Sequence, residues 1–125
     1  MFGVFALLLL SQQPIQPVAE GLASYYTVSS SSPVTAAGER LDDNSLTCAM
    51  LEGEFGSYYL VVAENGNSVV VRLNDRGPYV EGRVIDLTER AMRILDPRAG
   101  MIRVRVYPLG SGVPEGRLPA GLLSP

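Results

Sequence analysis

The sequence contains no histidine, no lysine and only one cysteine among its 125 residues. Without histidine, a Ser-His or Cys-His catalytic pair cannot form, and no metal site can use a histidine ligand. The single cysteine, Cys48, has no partner for an internal disulfide. Its position in the apolar stretch LTCAM predicts a small buried hydrophobic residue and not a nucleophile.

Positive charge is also scarce in this chain. Ten arginines stand against thirteen acidic residues, so the net charge is -3 and the pI is about 4.9. Nucleic-acid binding is therefore not expected, because such proteins usually carry a basic patch. No loop has the ligand spacing of a calcium site, and we expect neither a metal nor a cofactor. A hydrophobic fraction of 46% is typical of a globular chain, and the length predicts one domain.

No apolar run is long enough to cross a bilayer as a helix. The longest, residues 2–10, is far shorter than the roughly 20 residues that a spanning helix needs. It resembles the apolar core of a secretory signal. We therefore predict a leader over residues 1–19, export to the periplasm, cell envelope or medium, and no stable membrane span. The alternative is an apolar tail that is docked or disordered.

Short apolar runs separated by turn signals make up the rest of the chain. Asn-Gly at positions 65 and 66 predicts a hairpin, and Thr88 is predicted to cap a helix over residues 89–95. With five or six strands and one short helix, an all-β fold closed as a barrel over residues 20–109 is favoured. The Pro/Gly-rich sequence from Pro108 predicts a tail, assigned to residues 110–125. Strands are predicted at residues 21–28, 58–63, 68–73, 82–87 and 101–107.

Charge is concentrated in the segment RLNDRGPYVEGRVIDLT, residues 72–88. Asp75 and Asp86 lie at the predicted ends of two apolar strands, an arrangement that often builds a site. Each also has a structural alternative. In that alternative, Asp75 does no more than cap the tight turn that follows it, and Asp86 does no more than accept hydrogen bonds from the first amides of the helix.

Several motifs occur in an order that resembles the rare lipoprotein A family: GLASYY, AAGERLDDNSLTCAM, FGS, NGNSVVVRLNDRGPYVEGRVIDLTERAMRIL and GMIRVRVYPL. The resemblance covers roughly residues 21–109. It implies a six-stranded double-psi β-barrel, the fold shared with expansins and one class of endoglucanases. It also implies an endolytic lytic transglycosylase that acts on peptidoglycan glycan strands stripped of their stem peptides.

The resemblance also implies roles for individual residues. A lytic transglycosylase needs one carboxyl group that acts first as acid and then as base, and Asp86 is the candidate for it. Asp75 is then the second carboxylate, which either acts on Asp86 as a like-charged neighbour or stabilises oxocarbenium character. Arg76 and Arg83 could pair with protein carboxylates or bind glycan carboxylates. The predicted catalytic residues are Asp86, Asp75, Glu39 and Asp42, and the predicted substrate-binding residues are Arg76, Tyr79, Tyr26 and Met50.

One position departs from the family pattern in a way that bears on activity. Met50 stands where the family has a histidine, so one hydrogen-bonding group is lost. Losing a positioning or acid–base group lowers a rate by about 10²–10⁴-fold. The alternative to an enzyme is therefore a non-catalytic, expansin-like barrel that binds glycan, and a purely structural domain is the third possibility. Peptidoglycan glycan strands are the expected partner of a monomeric protein.

Overall fold

The computed structural model describes residues 16–111, in which six strands form a closed barrel in the order β1-β5-β2-β4-β3-β6. The predicted six-stranded barrel with one short helix is confirmed. The predicted leader and tail lie almost entirely outside the described residues. The elements are β1 (Ala19–Tyr26), a 3-10 turn (Val28–Ser30), β2 (Thr47–Ala49), β3 (Tyr58–Ala63), β4 (Ser68–Asp75), β5 (Arg83–Thr88), helix α1 (Glu89–Leu95) and β6 (Met101–Gly110).

Strands that are distant in sequence lie side by side in this barrel. Strand β5 is parallel to β1 and antiparallel to β2, and β2 is in turn parallel to β4. Parallel neighbours need long crossover connections, and here each connection contains whole strands: β2, β3 and β4 come between β1 and β5, and β3 comes between β2 and β4. As a result, β1, β5, β2 and β4 form one continuous wall of the barrel.

The barrel interior is filled by every second residue of the strands. In β4, Val69, Val71 and Leu73 are at most 1% exposed and belong to the hydrophobic core, as expected for a strand with one face buried. The helix α1 adds its own buried face to the same core: Ala91, Met92 and Leu95. Cys48 is fully buried among these side chains, as predicted, and burial raises the pKa of its thiol.

Two local predictions are confirmed at the hairpin and at the helix start. Residues 63–67 form the turn between β3 and β4, where Gly66 adopts a φ of 92° that favours glycine. The side chain of Thr88 accepts a hydrogen bond from the Ala91 amide and so caps α1. The turn also supports the far end of the helix, because Asn65 and Asn67 both donate to the Leu95 carbonyl.

The strand predictions differ from the structure at several places: β1 ends at Tyr26 and not at residue 28, β4 continues to Asp75 and not to residue 73, and β5 covers residues 83–88 and not 82–87. Strand β2 was not predicted separately, because three residues are too few to show an alternating pattern. Strand β1 begins at Ala19 and not at residue 21. Strand β6 continues to Gly110, so the predicted tail at Pro108 is wrong there. Beyond Val106, β6 pairs only with β3, which leaves one edge free to accommodate a proline.

Candidate active site

Asp75 and Asp86 line one open cleft of about 380 Å³ on the wall of the barrel. Ala49 of β2 lies between them, since it is the register partner of Asp75 on β4 and of Asp86 on β5. With neighbouring strands spaced about 4.8 Å apart, the two Cα atoms are roughly 10 Å from each other. The other walls of the cleft come from Tyr26, the loop 30–34, and residues 76–80 and 83.

The carboxylate of Asp86 is presented to the cleft by strand geometry. Its neighbours Ile85 and Leu87 are fully buried in the core, so Asp86 points to the opposite face of the strand. There Ser24 of β1 donates a hydrogen bond to Oδ1. Within residues 16–111, no other hydrogen bond reaches this carboxylate. The helix amides do not use it, because Thr88 caps α1 instead.

Asp75 is held much more firmly. Its Oδ1 accepts from the amides of Ala36 and Arg76, both at 2.9 Å, and its Oδ2 accepts from the Tyr26 hydroxyl at 3.1 Å. The turn-capping alternative is therefore part of what Asp75 does, since it binds the amide of the residue that follows it. The bond to Ala36 also attaches the long β1–β2 connection to the end of β4.

Tyr26 is a neutral hydrogen-bond donor at this site. Burial, followed by the negative charge of Asp75 and the hydrogen bond to it, raises the pKa of the Tyr26 phenol. The hydroxyl therefore keeps its proton at neutral pH and holds the Asp75 carboxylate in one orientation. Tyr26 was predicted to bind substrate, and the structure places it in the cleft with its hydroxyl on Asp75.

Two predicted substrate-binding residues differ in whether their side chains already have partners within the protein. Tyr79 lines the cleft and is 80% exposed, so its ring is available to stack on a sugar. Arg76 also lines the cleft, but its guanidinium donates to the carbonyls of Met50 at 3.4 Å and Gly53 at 2.6 Å. The same guanidinium lies 4.2 Å from the centroid of the Phe55 ring. The Arg76 guanidinium therefore already has hydrogen-bond and aromatic partners within the protein.

The structure does not bring Met50, Glu39 or Asp42 into the cleft lining. Met50 is 7% exposed and packs in the hydrophobic core, so its predicted contact with substrate is not supported. Its backbone reaches towards the site: the amide donates to the Asp75 carbonyl at 3.2 Å, and the carbonyl accepts from Arg76. The exposed Asp42 accepts from the Asn44 amide at 2.9 Å, which is an ordinary turn contact.

Glu39 forms a separate polar cluster beside the site. Its carboxylate accepts from the Arg72 guanidinium at 2.9 and 3.0 Å and from the Asn74 amide at 3.0 Å. These hydrogen bonds, that from Arg72 first, lower the pKa of Glu39 below its ordinary value. Asn74 is 2% exposed, so Glu39 supplies the partner that its buried amide nitrogen needs. The structure thus shows a structural role for Glu39, and its catalytic role stays a prediction.

The lowered pKa of Glu39 predicts a pH-dependent contribution to stability. A carboxyl group whose pKa is lower in the folded state than in the unfolded state stabilises the fold at pH values above its unfolded-state pKa, here 4.5. That contribution is lost as the pH falls through the folded-state pKa. Between pH 7 and pH 3, thermal unfolding should therefore show a larger loss of stability in the wild type than in Glu39→Gln. Identical pH profiles for the two proteins would contradict this role.

Ser24 is the site residue that the sequence did not reveal. It is 5% exposed and donates to Asp86 from the neighbouring strand. The motif GLASYY does carry a signal, because Ala23 belongs to the core and Ser24 must face the other way. Its partner could not be found without knowing that β1 and β5 are neighbours.

Among the described residues, no three His, Cys, Asp or Glu side chains are placed to hold a metal ion.

Comparison with known families accounts for this combination of barrel and cleft. Residues 18–106 match the family described as lytic transglycolase. This chain belongs to the lytic transglycolase family. Membership confirms the predicted double-psi β-barrel and the resemblance to rare lipoprotein A proteins. Both Asp75 and Asp86 lie inside the matched region.

Several curated members of this family are similar to the chain. A probable endolytic peptidoglycan transglycosylase RlpA of Treponema pallidum is 44% identical over 92 residues, which cover 72% of this chain and 29% of the relative. The endolytic peptidoglycan transglycosylase RlpA of Escherichia coli K12 is 37% identical over 99 residues, covering 78% and 27%. The chain thus spans less than a third of the length of these relatives.

Solved structures with the same barrel have diverse descriptions. An expansin of Clavibacter michiganensis superposes with a TM-score of 0.56 at 24% identity, over 82% of this chain and 52% of that one. A Streptomyces papain inhibitor superposes with a TM-score of 0.53 at 22% identity, over 75% and 99%. At such identities the likeness shows the fold alone, so function has to be argued from the site.

Proposed function

We propose that this barrel cleaves peptidoglycan glycan strands by lytic transglycosylation. The observation that carries the proposal is the placement of Asp75 and Asp86 in one open cleft beside the exposed ring of Tyr79. Curated relatives that are 37–44% identical are named endolytic peptidoglycan transglycosylases, which supports the same activity here. The cleft is open to solvent and is lined by polar, charged and aromatic side chains, which can bind the hydroxyl groups and ring faces of sugars.

In the proposed reaction, Asp86 acts as the acid and then as the base. Its acid form gives a proton to the glycosidic oxygen while the bond between that oxygen and the muramyl anomeric carbon breaks. The resulting carboxylate takes the proton of the muramyl 6-hydroxyl as the 6-oxygen bonds to the same carbon. A 1,6-anhydro ring forms, no water is consumed, and Asp86 regains its proton.

The difference in hydrogen bonding supports separate roles for the two carboxylates. Both oxygens of Asp75 already accept protein hydrogen bonds, which suits a fixed negative charge that stabilises a cationic transition state. In Asp86, only Oδ1 has a partner among the described residues. Its Oδ2 is therefore available to a sugar oxygen, as a group that transfers protons to substrate must be.

The direct test is digestion of peptide-free glycan strands, read by mass spectrometry. Strands ending in 1,6-anhydromuramyl groups are the expected product, and reducing ends formed by water would contradict the transglycosylase mechanism. Absence of any product, combined with retained strand binding, would instead support the alternative of a non-catalytic glycan-binding barrel. Met50 in place of the family histidine is the feature that favours this alternative, and activity that appears only in Met50→His would establish it.

Tyr26→Phe should slow the reaction without unfolding the barrel. The substitution removes only the hydroxyl that donates to Asp75, which leaves that carboxylate less well oriented. A hydrogen bond to a charged group is worth about 1.5–3 kcal/mol in stability, and we expect about a tenfold loss in the rate of anhydro product formation. Tyr107→Phe, at a tyrosine of β6 outside the cleft, is the matched control. Equal rates for wild type and Tyr26→Phe would exclude an orienting role.

Export is proposed together with this activity, because the expected substrate lies in the cell envelope. The apolar segment 2–10 supports it, although that segment lies outside the described residues. Within residues 16–111, no helix has the length and hydrophobicity needed to cross a membrane. We propose that the barrel meets the glycan strand as a monomer, which sedimentation of the purified protein would test.

A further inference from the structure

Arg83 is a cation in the cleft with no partner in the described protein. It lines the same cleft as Asp75 and Asp86 and is half-buried there. Among residues 16–111, no hydrogen bond or ion pair involves its guanidinium, and its backbone amide donates to the Val80 carbonyl. We propose that Arg83 binds the free carboxylate of the lactyl group on the muramyl sugar. The proposal rests on the proposed function and names the part of the substrate that this residue recognises.

A β-bulge turns Arg83 towards Asp86. Leu22 and Ser24 of β1 are two residues apart and therefore share a face. Their register partners on β5 are Arg83 and Asp86, which are three residues apart, because the register shifts between Leu22 and Ala23. The extra residue on β5 brings Arg83 to the face of Asp86. At about 3.3 Å per residue on β1, the two positions lie roughly 7 Å apart along the strands.

This separation matches the chemistry of one muramyl sugar. The lactyl ether is attached to the same sugar ring that contains the anomeric carbon. Arg83 can therefore hold the lactyl carboxylate while Asp86 acts on the glycosidic oxygen. The guanidinium fork binds a carboxylate through two parallel hydrogen bonds, which also fixes the orientation of the ring. Arg76, the other arginine of the cleft lining, is not available for this task, because its guanidinium is held by the Gly53 carbonyl and the Phe55 ring.

A cation in the cleft reduces the repulsion between the acidic side chains of the cleft and an anionic substrate. Asp75 and Asp86 make the cleft acidic, and a glycan strand with free lactyl groups carries a negative charge on every second sugar. A strand that still bears stem peptides has an uncharged amide at the same atom. Arg83 therefore favours sugars with a free carboxylate, because a charge-assisted hydrogen bond is about twice as strong as a neutral one.

The test compares two forms of the same peptide-free strand: one with free lactyl carboxylates and one in which methylamine has converted them to amides. Binding is measured by titration in the cold, with mass spectrometry to verify that the strands stay intact. The wild type should bind the free carboxylate strand about tenfold more tightly, and the preference should shrink as salt increases. Equal affinity of the wild type for the two strands would overturn the proposal without any variant.

Arg83→Gln is the matching variant. It should bind both strands with the affinity that the wild type shows for the amidated strand. Arg103→Gln, which removes an exposed arginine of β6 outside the cleft, should keep the full preference. An equal loss of affinity for both strands in Arg83→Gln would overturn the proposal. If the wild type prefers free carboxylates but forms no anhydro product from either strand, the proposed activity fails while the role of Arg83 stands.

Discussion

Asp86→Asn should lower the formation of 1,6-anhydromuramyl ends by about 10²–10⁴-fold, the usual effect of removing a general acid–base group. The amide has almost the shape of the carboxyl but cannot give a proton to the glycosidic oxygen or take one from the 6-hydroxyl. Its oxygen can still accept the hydrogen bond from Ser24, so the fold should be preserved. Rates on peptide-free strands and thermal unfolding of the same preparation measure both effects.

The control for this loss is a carboxylate outside the cleft. Glu64 lies exposed at the turn after β3 and does not line the cleft, so Glu64→Gln changes the net charge equally and should leave the rate unchanged. Strand binding by Asp86→Asn should persist, because Tyr79 and Arg83 are untouched. A rate near that of the wild type in Asp86→Asn would remove Asp86 from the acid–base role and return the assignment to Asp75.

Asp75 should separate activity from stability in a pair of variants. Asp75→Asn keeps an oxygen for the Ala36 and Arg76 amides, and its new amino group can donate to the Tyr26 hydroxyl. We therefore expect a folded protein that has lost the stabilising negative charge, with a rate about 10²–10³-fold lower. Activity and unfolding by denaturant are the two measurements.

Asp75→Ala should lose activity and stability together. The alanine leaves the donors of Ala36, Arg76 and Tyr26 without their acceptor. An unsatisfied buried donor costs about 1–3 kcal/mol, which applies to the part-buried Arg76 and Tyr26 donors, whereas the exposed Ala36 amide can bind water. The long β1–β2 connection also loses one of its attachments to β4. If Asp75→Ala proved as stable as Asp75→Asn, the hydrogen bonds of this carboxylate would not support the fold.

The positions of the helix and most strands could be predicted from the sequence more fully than the roles of individual side chains. Thr88 and the helix after it were predictable, because capping and the 3.6-residue period are local properties of the chain. Glu39 and Asp42 matched the family pattern equally well, yet one binds Arg72 and Asn74 and the other closes a turn. Nothing local distinguishes a carboxylate that faces a cleft from one that faces its own chain.

Alternation, turn chemistry and motif spacing are local properties of the chain, so the barrel class, the hairpin, the helix, the family and the two aspartates worth testing could be predicted from them. Which groups meet could be known only from the folded barrel. Parallel pairing of β1 and β5 places Ser24 beside Asp86, the position of β2 between β4 and β5 places Ala49 between the two carboxylates, and a bulge brings Arg83 to the same face. These contacts join strands that are far apart in sequence, and the order and register of those strands follow from closing the whole barrel around one core.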